Sequence, residues 1–187
     1  MKRKKVPSIL ILILLVCLIS GSAASSASDE ETSAALLQGL PGVLVVVEDL
    51  PPQLREKGVS EEQLKAHVEE QLKGGGINVL SLTEYFRTSH PCTFSVGIRA
   101  FIGRPGPLIT SIVAELNQGV YLERDPKIHE VLATWSEGFV GSIGSFHLEE
   151  VFVIVGDLVD QFINAYLLAN GKGGDEKRKI PRSGYDL

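Results

Sequence analysis

Three evenly spaced glycines and a serine have the clearest potential for ligand chemistry in this chain. They lie in the segment GFVGSIGS, just before a long amphipathic stretch, and are Gly138, Gly141, Gly144 and Ser145. Glycines let backbone amides approach an anion, and the first turn of a helix adds a positive dipole. We therefore predict a weak binding site for a phosphate or carboxylate in this loop. The spacing fits neither the dinucleotide-binding fingerprint nor the P-loop, so an ordinary strand-to-helix connection is the alternative.

Acidic residues of the amphipathic stretch form a second candidate site. Asp157, Asp160 and Asn164 recur at helical spacing, which places them on one helix face. Paired carboxylates on such a face could perform acid–base catalysis or bind calcium. Because these residues alternate with apolar positions, a solvated helix face is the simpler interpretation.

Cysteine and histidine chemistry is weakly indicated. Cys92 follows His90 and Pro91, and a proline between a thiol and an imidazole holds the chain extended, which disfavours a Cys–His nucleophile. Packing at the start of a strand or an intermolecular disulfide explains Cys92 better. No pair of histidines, or of histidine and cysteine, has zinc-ligand spacing, so we predict neither a metal nor another cofactor.

Aromatic residues suggest a contact surface. Trp135 and Phe139 border the glycine segment, and Phe101 and Tyr121 lie on strand faces opposite the predicted core positions. Together they could form an exposed surface for a protein partner. A helix that covers these faces is the alternative.

The first 27 residues predict the compartment in which the chain works. A basic start at residues 2–5 is followed by an 11-residue apolar run at 9–19 and then by small residues. This order is that of a secretory signal peptide, and the run is shorter than the roughly 20 residues that cross a bilayer. Cleavage fits after Ala24 or Ala27, and we favour Ala27. A lipoprotein signal at Cys17 and an uncleaved anchor are the alternatives. We therefore expect a secreted or periplasmic protein.

Removal of the leader changes the charge balance of the chain. Four of the 18 basic residues leave and all 23 acidic residues stay, so the net charge moves from −5 to −9. An acidic domain repels nucleic acid and anionic lipid, and we expect no nucleic-acid partner and no stable membrane anchor after cleavage. Cys92 becomes the only cysteine, which excludes an intramolecular disulfide. Stability must then come from the hydrophobic core.

The remaining sequence predicts one domain over residues 40–170. A flexible lead-in at 28–39 precedes it, and a disordered tail at 171–187 follows it. The domain begins with a strand over 42–50, buried on both faces, a helix over 60–73 and a second strand over 77–82. Such a strand–helix–strand unit predicts parallel pairing.

Three segments of alternating hydrophobicity follow, and they predict an antiparallel meander. They cover residues 93–102, 108–122 and 131–135, with a bulge at 117–119. A long helix then begins at residue 146 or 147 and ends at 170. The order is strand–helix–strand–strand–strand–strand–helix. It predicts an α/β or α+β fold in which helices pack on a mixed sheet of about five strands.

Parts of the chain resemble known bacterial proteins. The segments LPGVLVVVEDL, LREKGVS and DLVDQFIN resemble a family of small uncharacterised secreted proteins over residues 40–170. The element order also resembles envelope α/β domains, such as the N-terminal domain of the Tol–Pal propeller protein and the lipoprotein activators of penicillin-binding proteins. These resemblances imply a non-enzymatic, protein-binding role in the envelope, and they carry no catalytic motif.

Three functional hypotheses follow from these observations. The first is an exported, non-catalytic envelope protein that binds another protein through an exposed sheet edge or loop surface. The second is a periplasmic hydrolase that uses the helix carboxylates or Cys92. The third is a binder of small anionic ligands that uses the glycine segment. A pocket that gathers these groups would favour an enzyme, and a flat surface with solvated carboxylates would favour protein binding.

Overall fold

A computed structural model describes residues 35–102, 108–143 and 148–172, in which four strands form one mixed sheet. The strands are β1 (Val43–Val47), β2 (Cys92–Ile102), β3 (Leu108–Leu122) and β4 (Asp125–Ile143). The helices are α1 (Pro52–Arg55), α2 (Glu61–Gly74), α3 (Leu82–Arg87) and α4 (Leu148–Ala169). The strand order is β1-β2-β3-β4, with β1 parallel to β2 and the other neighbours antiparallel. This confirms the predicted α/β class with a mixed sheet.

The leader lies outside the described residues, and so do residues 28–34 and most of the tail. The predictions of a signal peptide at 1–27 and of a disordered tail at 171–187, of which only Gly171 and Lys172 are described, therefore stay predictions. The side chains of Phe101 and Leu148 also lie outside the described part of the chain, and so do Gly144 and Ser145. Predictions about these residues stay predictions.

The first strand lies at an edge of the sheet, not at its centre. Val43 and Val45 are buried, whereas the side chain of Val46 on the other face is 39% exposed. The prediction that this strand is buried on both faces is therefore wrong. Its continuous apolar run reflects the β propensity of valine as much as burial.

The segment predicted as a second strand makes only one bridge. Val79 pairs in parallel with Val43, and Ser81 then begins α3. The Ser81 hydroxyl accepts from the Glu84 amide, and the Glu84 carboxylate accepts from the Ser81 amide, which forms a capping box. The parallel partner of β1 is β2 instead, reached through α2 and α3.

The meander follows its predicted alternation. Phe94, Val96 and Ile98 of β2 and the facing side chains of β3 are buried. The register between β3 and β4 shifts at Leu116/Asn117, beside the predicted bulge at 117–119, but the extra residue is Thr134 on β4, because Leu116 pairs with Trp135 and Asn117 with Ala133. Strand β4 is much longer than predicted, since it extends through Gly138 and Gly141 to Ile143.

Both long helices pack on the same face of the sheet and close a single core. The capping box of Ser60 and Gln63 begins α2, close to the predicted start at residue 60, and Leu64, Val68 and Leu72, which are four residues apart, form its buried stripe. The buried stripe of α4 also matches the sequence pattern, and its members are Val151, Val155, Val159, Phe162 and Tyr166. The opposite face of the sheet carries no helix among the described residues. The fold therefore has two layers.

The end of the predicted flexible lead-in is fixed to the domain. Leu37 is completely buried, and the side-chain amide of Asn170 donates to the Leu37 carbonyl over 3.1 Å. The Gly39 amide in turn donates to the side-chain oxygen of Asn170 over 3.0 Å. The segment is therefore held in place from residue 35 onward, and the predicted domain boundary at residue 40 is a few residues too late.

Helix α4 is also apolar. In the described part of the chain it is the one helix with the length and composition to cross a membrane, and 44% of its apolar window is buried within the domain. Its apolar stripe faces the sheet, as in the core helix of a two-layer domain.

Candidate protein-binding edge

Strand β4 forms a long free edge of the sheet. It has 19 residues and pairs with β3 along one side, and no described strand pairs with its other side. Ser136, Glu137, Gly138 and Val140 are all exposed, Val140 by 75%. Backbone N–H and C=O groups along such an edge can pair with a strand from another chain.

The two halves of this edge differ in their protection. The first half contains Pro126, Lys127 and, at Ala133, the register shift of the bulge. Proline, lysine and bulges all hinder the addition of a strand to an edge. The second half, residues 135–143, has none of these features, and we call it the open edge.

The helix-facing side of the open edge is an incomplete part of the core. Trp135 packs against Phe162 and Phe94, with ring centroids 5.0 and 6.3 Å apart, yet it remains half-buried. Phe139 is also half-buried against the core. Both lie opposite buried residues of β3, so their outer flank is where a fifth strand would complete the layer.

Glu137 lies between these two aromatic residues on the same side. It pairs in register with the buried Ala114, which places its carboxylate on the helix-facing side of the sheet. The side chain is exposed, and no described residue forms a salt bridge with it. A charge at this position deters an apolar strand and attracts one that carries a basic residue.

The predicted aromatic surface is only partly present. Trp135 and Phe139 pack against the core on the helix-facing side, whereas Tyr121 is 66% exposed and packs with its ring tilted against that of His129 in the distal part of the β3–β4 hairpin. The structure therefore does not bring these three residues together on one exposed surface. A role of Trp135 and Phe139 in partner contact stays a prediction, now at the sheet edge.

The predicted glycine loop is a strand as far as the structure describes it. Gly138 pairs with Val113 and Gly141 with Thr110, and a side chain at Gly141 would collide with the ring of Phe139. The prediction of a loop is therefore wrong for these two residues. Anion binding at Gly144 and Ser145 lies outside the described residues.

The helix carboxylates do not assemble a reactive centre. Burial and the charge of Asp160 raise the pKa of Asp157. Asp157, Asp160 and Asn164 are half-buried on α4. Within residues 35–102, 108–143 and 148–172, no group of three or more His, Cys, Asp or Glu side chains is arranged to hold a metal ion.

Cys92 is a buried residue of the core. Its side chain is 3% exposed, and burial raises the pKa of its thiol. The thiol donates to the backbone carbonyl of His90, with Sγ 3.4 Å from its oxygen, and Sγ lies 3.8 Å from Oε1 of Gln118. A raised pKa and burial both disfavour a nucleophilic thiolate.

A shallow polar groove lies on the uncovered face of the sheet. Its cavity of about 170 Å³ is lined by Glu48, Ser95, Gly97, Arg99, Ser111, Val113 and Glu115. The Glu48 carboxylate lies over Gly97, where a Cβ would come within 2.8 Å of it. The groove is smaller than the cavities of about 300 Å³ or more that usually hold small-molecule ligands.

The chain matches no protein-family model and no curated protein. One solved structure that resembles it is a minor lipoprotein from Acinetobacter baumannii. The two chains are 8% identical, the match covers 68% of this chain and 91% of the lipoprotein, and the TM-score is 0.32. A likeness at this level carries no argument about function, so the resemblances found in the sequence stay predictions.

The open edge was missed in the sequence because its glycines suggested a loop. The signal that could have found it is the alternation of Trp135, Glu137 and Phe139, which continues the strand pattern past Gly138.

Proposed function

We propose that this chain is an exported, non-catalytic protein of the bacterial envelope that acts by binding another protein at the open edge. The observation that carries the proposal is a strand edge that no described strand pairs with, that lacks lysine, proline and bulges, and that has two half-buried aromatic side chains on either side of the exposed Glu137. Strand addition to such an edge is a recurring mode of protein recognition.

Chemical features of the domain support binding over catalysis. Cys92 is buried with a raised thiol pKa, and the groove on the uncovered face is shallow. Neither arrangement favours the hydrolase hypothesis, and we do not propose it. Export is supported by the basic and apolar order of the first 27 residues.

Site-specific photo-crosslinking in the producing cell tests the binding proposal. A photoreactive amino acid is placed at Ser136 or Val140 on the open edge and, as a control, at Lys65 on the exposed side of α2. We expect one discrete crosslinked protein at the two edge positions and none at the control. Equal crosslinking at all three positions, or none at the edge, would contradict the proposal.

Cell fractionation tests the proposed location separately. We expect the protein outside the cytoplasm, with an N-terminus at Ser28 or, for the alternative site, at Ser25. N-terminal sequencing by mass spectrometry distinguishes these two products. An intact leader on cytosolic protein would contradict export without bearing on the binding edge.

A further inference from the structure

We propose that the partner contributes an extended segment with the pattern apolar–x–basic–x–apolar, which pairs with β4 along the open edge. This inference rests on the proposed function and names the chemistry of the partner. The pattern follows from the three residues on the helix-facing side of the edge. An added strand presents alternate side chains to that side, because side chains of a strand point to opposite faces in turn.

The two outer positions of the pattern are apolar because of the aromatic residues. Trp135 and Phe139 are two positions either side of Glu137 on β4 and pack against the same core. Both remain half-buried. Apolar side chains opposite them would remove the remaining aromatic surface from water, which favours binding in proportion to the area covered.

The central position of the pattern is basic because of Glu137 and its surroundings. Glu137 is exposed and has no salt-bridge partner among the described residues. The neighbouring helix α4 carries Glu149, Glu150, Asp157 and Asp160 and no lysine, arginine or histidine. A lysine or arginine opposite Glu137 would therefore meet no competing cation from α4, and opposite charges directly across a ladder stabilise the pair.

A second copy of this chain fits the same edge poorly. Between Trp135 and Ile143, β4 contains no basic residue. Antiparallel pairing of two open edges would leave Glu137 opposite another Glu137 or an uncharged residue. Like charges directly opposite destabilise a ladder, and an unpaired carboxylate gains nothing there, so the observations favour a different protein.

Peptide titration of the full-length mature protein tests the proposal. The peptide TVTKTVT, blocked at both ends, has the proposed pattern, and TVTETVT is its matched opposite. Because the pattern is symmetric, it presents the same side chains in either strand direction. We expect the lysine peptide to bind roughly fivefold more tightly than the glutamate peptide in NMR titrations, as one favourable cross-strand pair replaces a repulsive one.

Two charge-reversed variants test whether the preference for the lysine peptide depends on Glu137. In Glu137→Lys we expect the preference to reverse in favour of the glutamate peptide. Glu130→Lys makes the same change of net charge on the protected half of β4 and should keep the original preference. Both residues are exposed, and thermal unfolding checks that each variant is folded. Equal affinity for both peptides, no binding of either, or a preference unchanged in Glu137→Lys would overturn the proposal.

The remaining outcomes identify other occupants of the edge. In a paired strand, alternate N–H groups point toward β4 and away from it. N-methylation of the first set should therefore abolish peptide binding, and N-methylation of the second set should leave it unchanged. If both sets of methylated peptides bound equally well, strand pairing would be excluded. A dimer through β4 in sedimentation experiments would assign the edge to a second copy. Binding that appears only after removal of residues 173–187 would assign it to the chain's own basic tail. Crosslinking at Val140 without any peptide preference would overturn this pattern and leave the proposed function intact.

Discussion

At the scale of single residues, Leu37 contributes far more than its position near the N-terminus suggests. It is completely buried, whereas the preceding Leu36 is 44% exposed. We expect Leu37→Ala to lower the free energy of unfolding by about 2–5 kcal/mol, as for other buried leucines, because the truncation leaves a cavity. The matched change Leu36→Ala should cost less than about 1 kcal/mol. Urea unfolding followed by circular dichroism measures both, and similar losses in the two variants would contradict the account.

Glu61 connects the loop after β1 to the start of α2. Hydrogen bonds from the Leu50 amide, from its own backbone and from Arg55 lower the pKa of the Glu61 carboxyl. A lowered pKa in the folded state stabilises the fold above the ordinary carboxyl pKa, and the contribution disappears as the pH falls through the lowered value.

The expected result for Glu61→Gln is lower stability at neutral pH and a flatter decline of stability toward acid pH. Urea unfolding at a series of pH values between neutrality and about 3 measures this slope. Glu62→Gln, an exposed change at the next position, should alter the free energy of unfolding by less than about 0.5 kcal/mol. If the free energy of unfolding of Glu61→Gln fell toward acid pH as steeply as that of the original protein, the hydrogen bonds to Glu61 would carry no net stabilisation.

At the scale of elements, the contact between α2 and α4 depends on a glycine. A Cβ atom at Gly75 would come within 2.7 Å of the buried Ile163 side chain, whereas one at the neighbouring Gly74 would meet nothing within 4 Å. The two positions therefore form a natural pair for testing how closely the helices approach.

We expect Gly75→Ala to lower the free energy of unfolding by about 1–3 kcal/mol through overpacking. Gly74→Ala, at the end of α2, should be neutral or stabilise by up to about 1 kcal/mol, because alanine restricts the unfolded chain. Thermal and urea unfolding of both variants provide the comparison. Equal effects would mean that α4 shifts to accommodate the methyl group at little cost.

An element could be predicted from the sequence where its pattern of apolar residues is local to that element. The alternation of β2 and β3 and the buried stripes of α2 and α4 depend on side-chain periodicity, and all were predictable. The short helix α3 was missed although Ser81 and Glu84 form a visible capping box, because the preceding residues INVLSL favour a strand. Residues 77–82 make only one bridge, between Val79 and Val43, because α3 begins after Ser81 and ends the extended segment. The parallel partner of β1 along its whole length is the more distant β2, and tertiary pairing of this kind leaves no local trace.

The candidate site was less predictable than the fold. Trp135 and Phe139 were identified in the sequence, but periodicity does not reveal that β4 is the last strand of the sheet. An edge is a property of strand order. It becomes visible only when the neighbours of every strand are known.

At the scale of the whole molecule, the described domain is held together by its core without a disulfide, since Cys92 is the one cysteine in that part of the chain and is a free thiol. Cys92 is buried and its pKa is raised by that burial. We expect the native protein to migrate as a monomer on non-reducing gels and its thiol to react with Ellman's reagent only after unfolding. A disulfide-linked dimer, or rapid reaction of the native thiol, would show that the strand end at Cys92 opens readily.

The hydrogen bond between Leu37 and Asn170 has a consequence for biogenesis, because it joins positions 133 residues apart. A chain that emerges N-terminus first, from a ribosome or through a translocation channel, cannot close this contact until nearly all of its length has appeared. Contacts of such long range also form slowly, since most of the chain must be ordered between them. The two ends of the described domain can therefore be joined only after the last helix is complete, so this hydrogen bond is a late event in the synthesis of the chain.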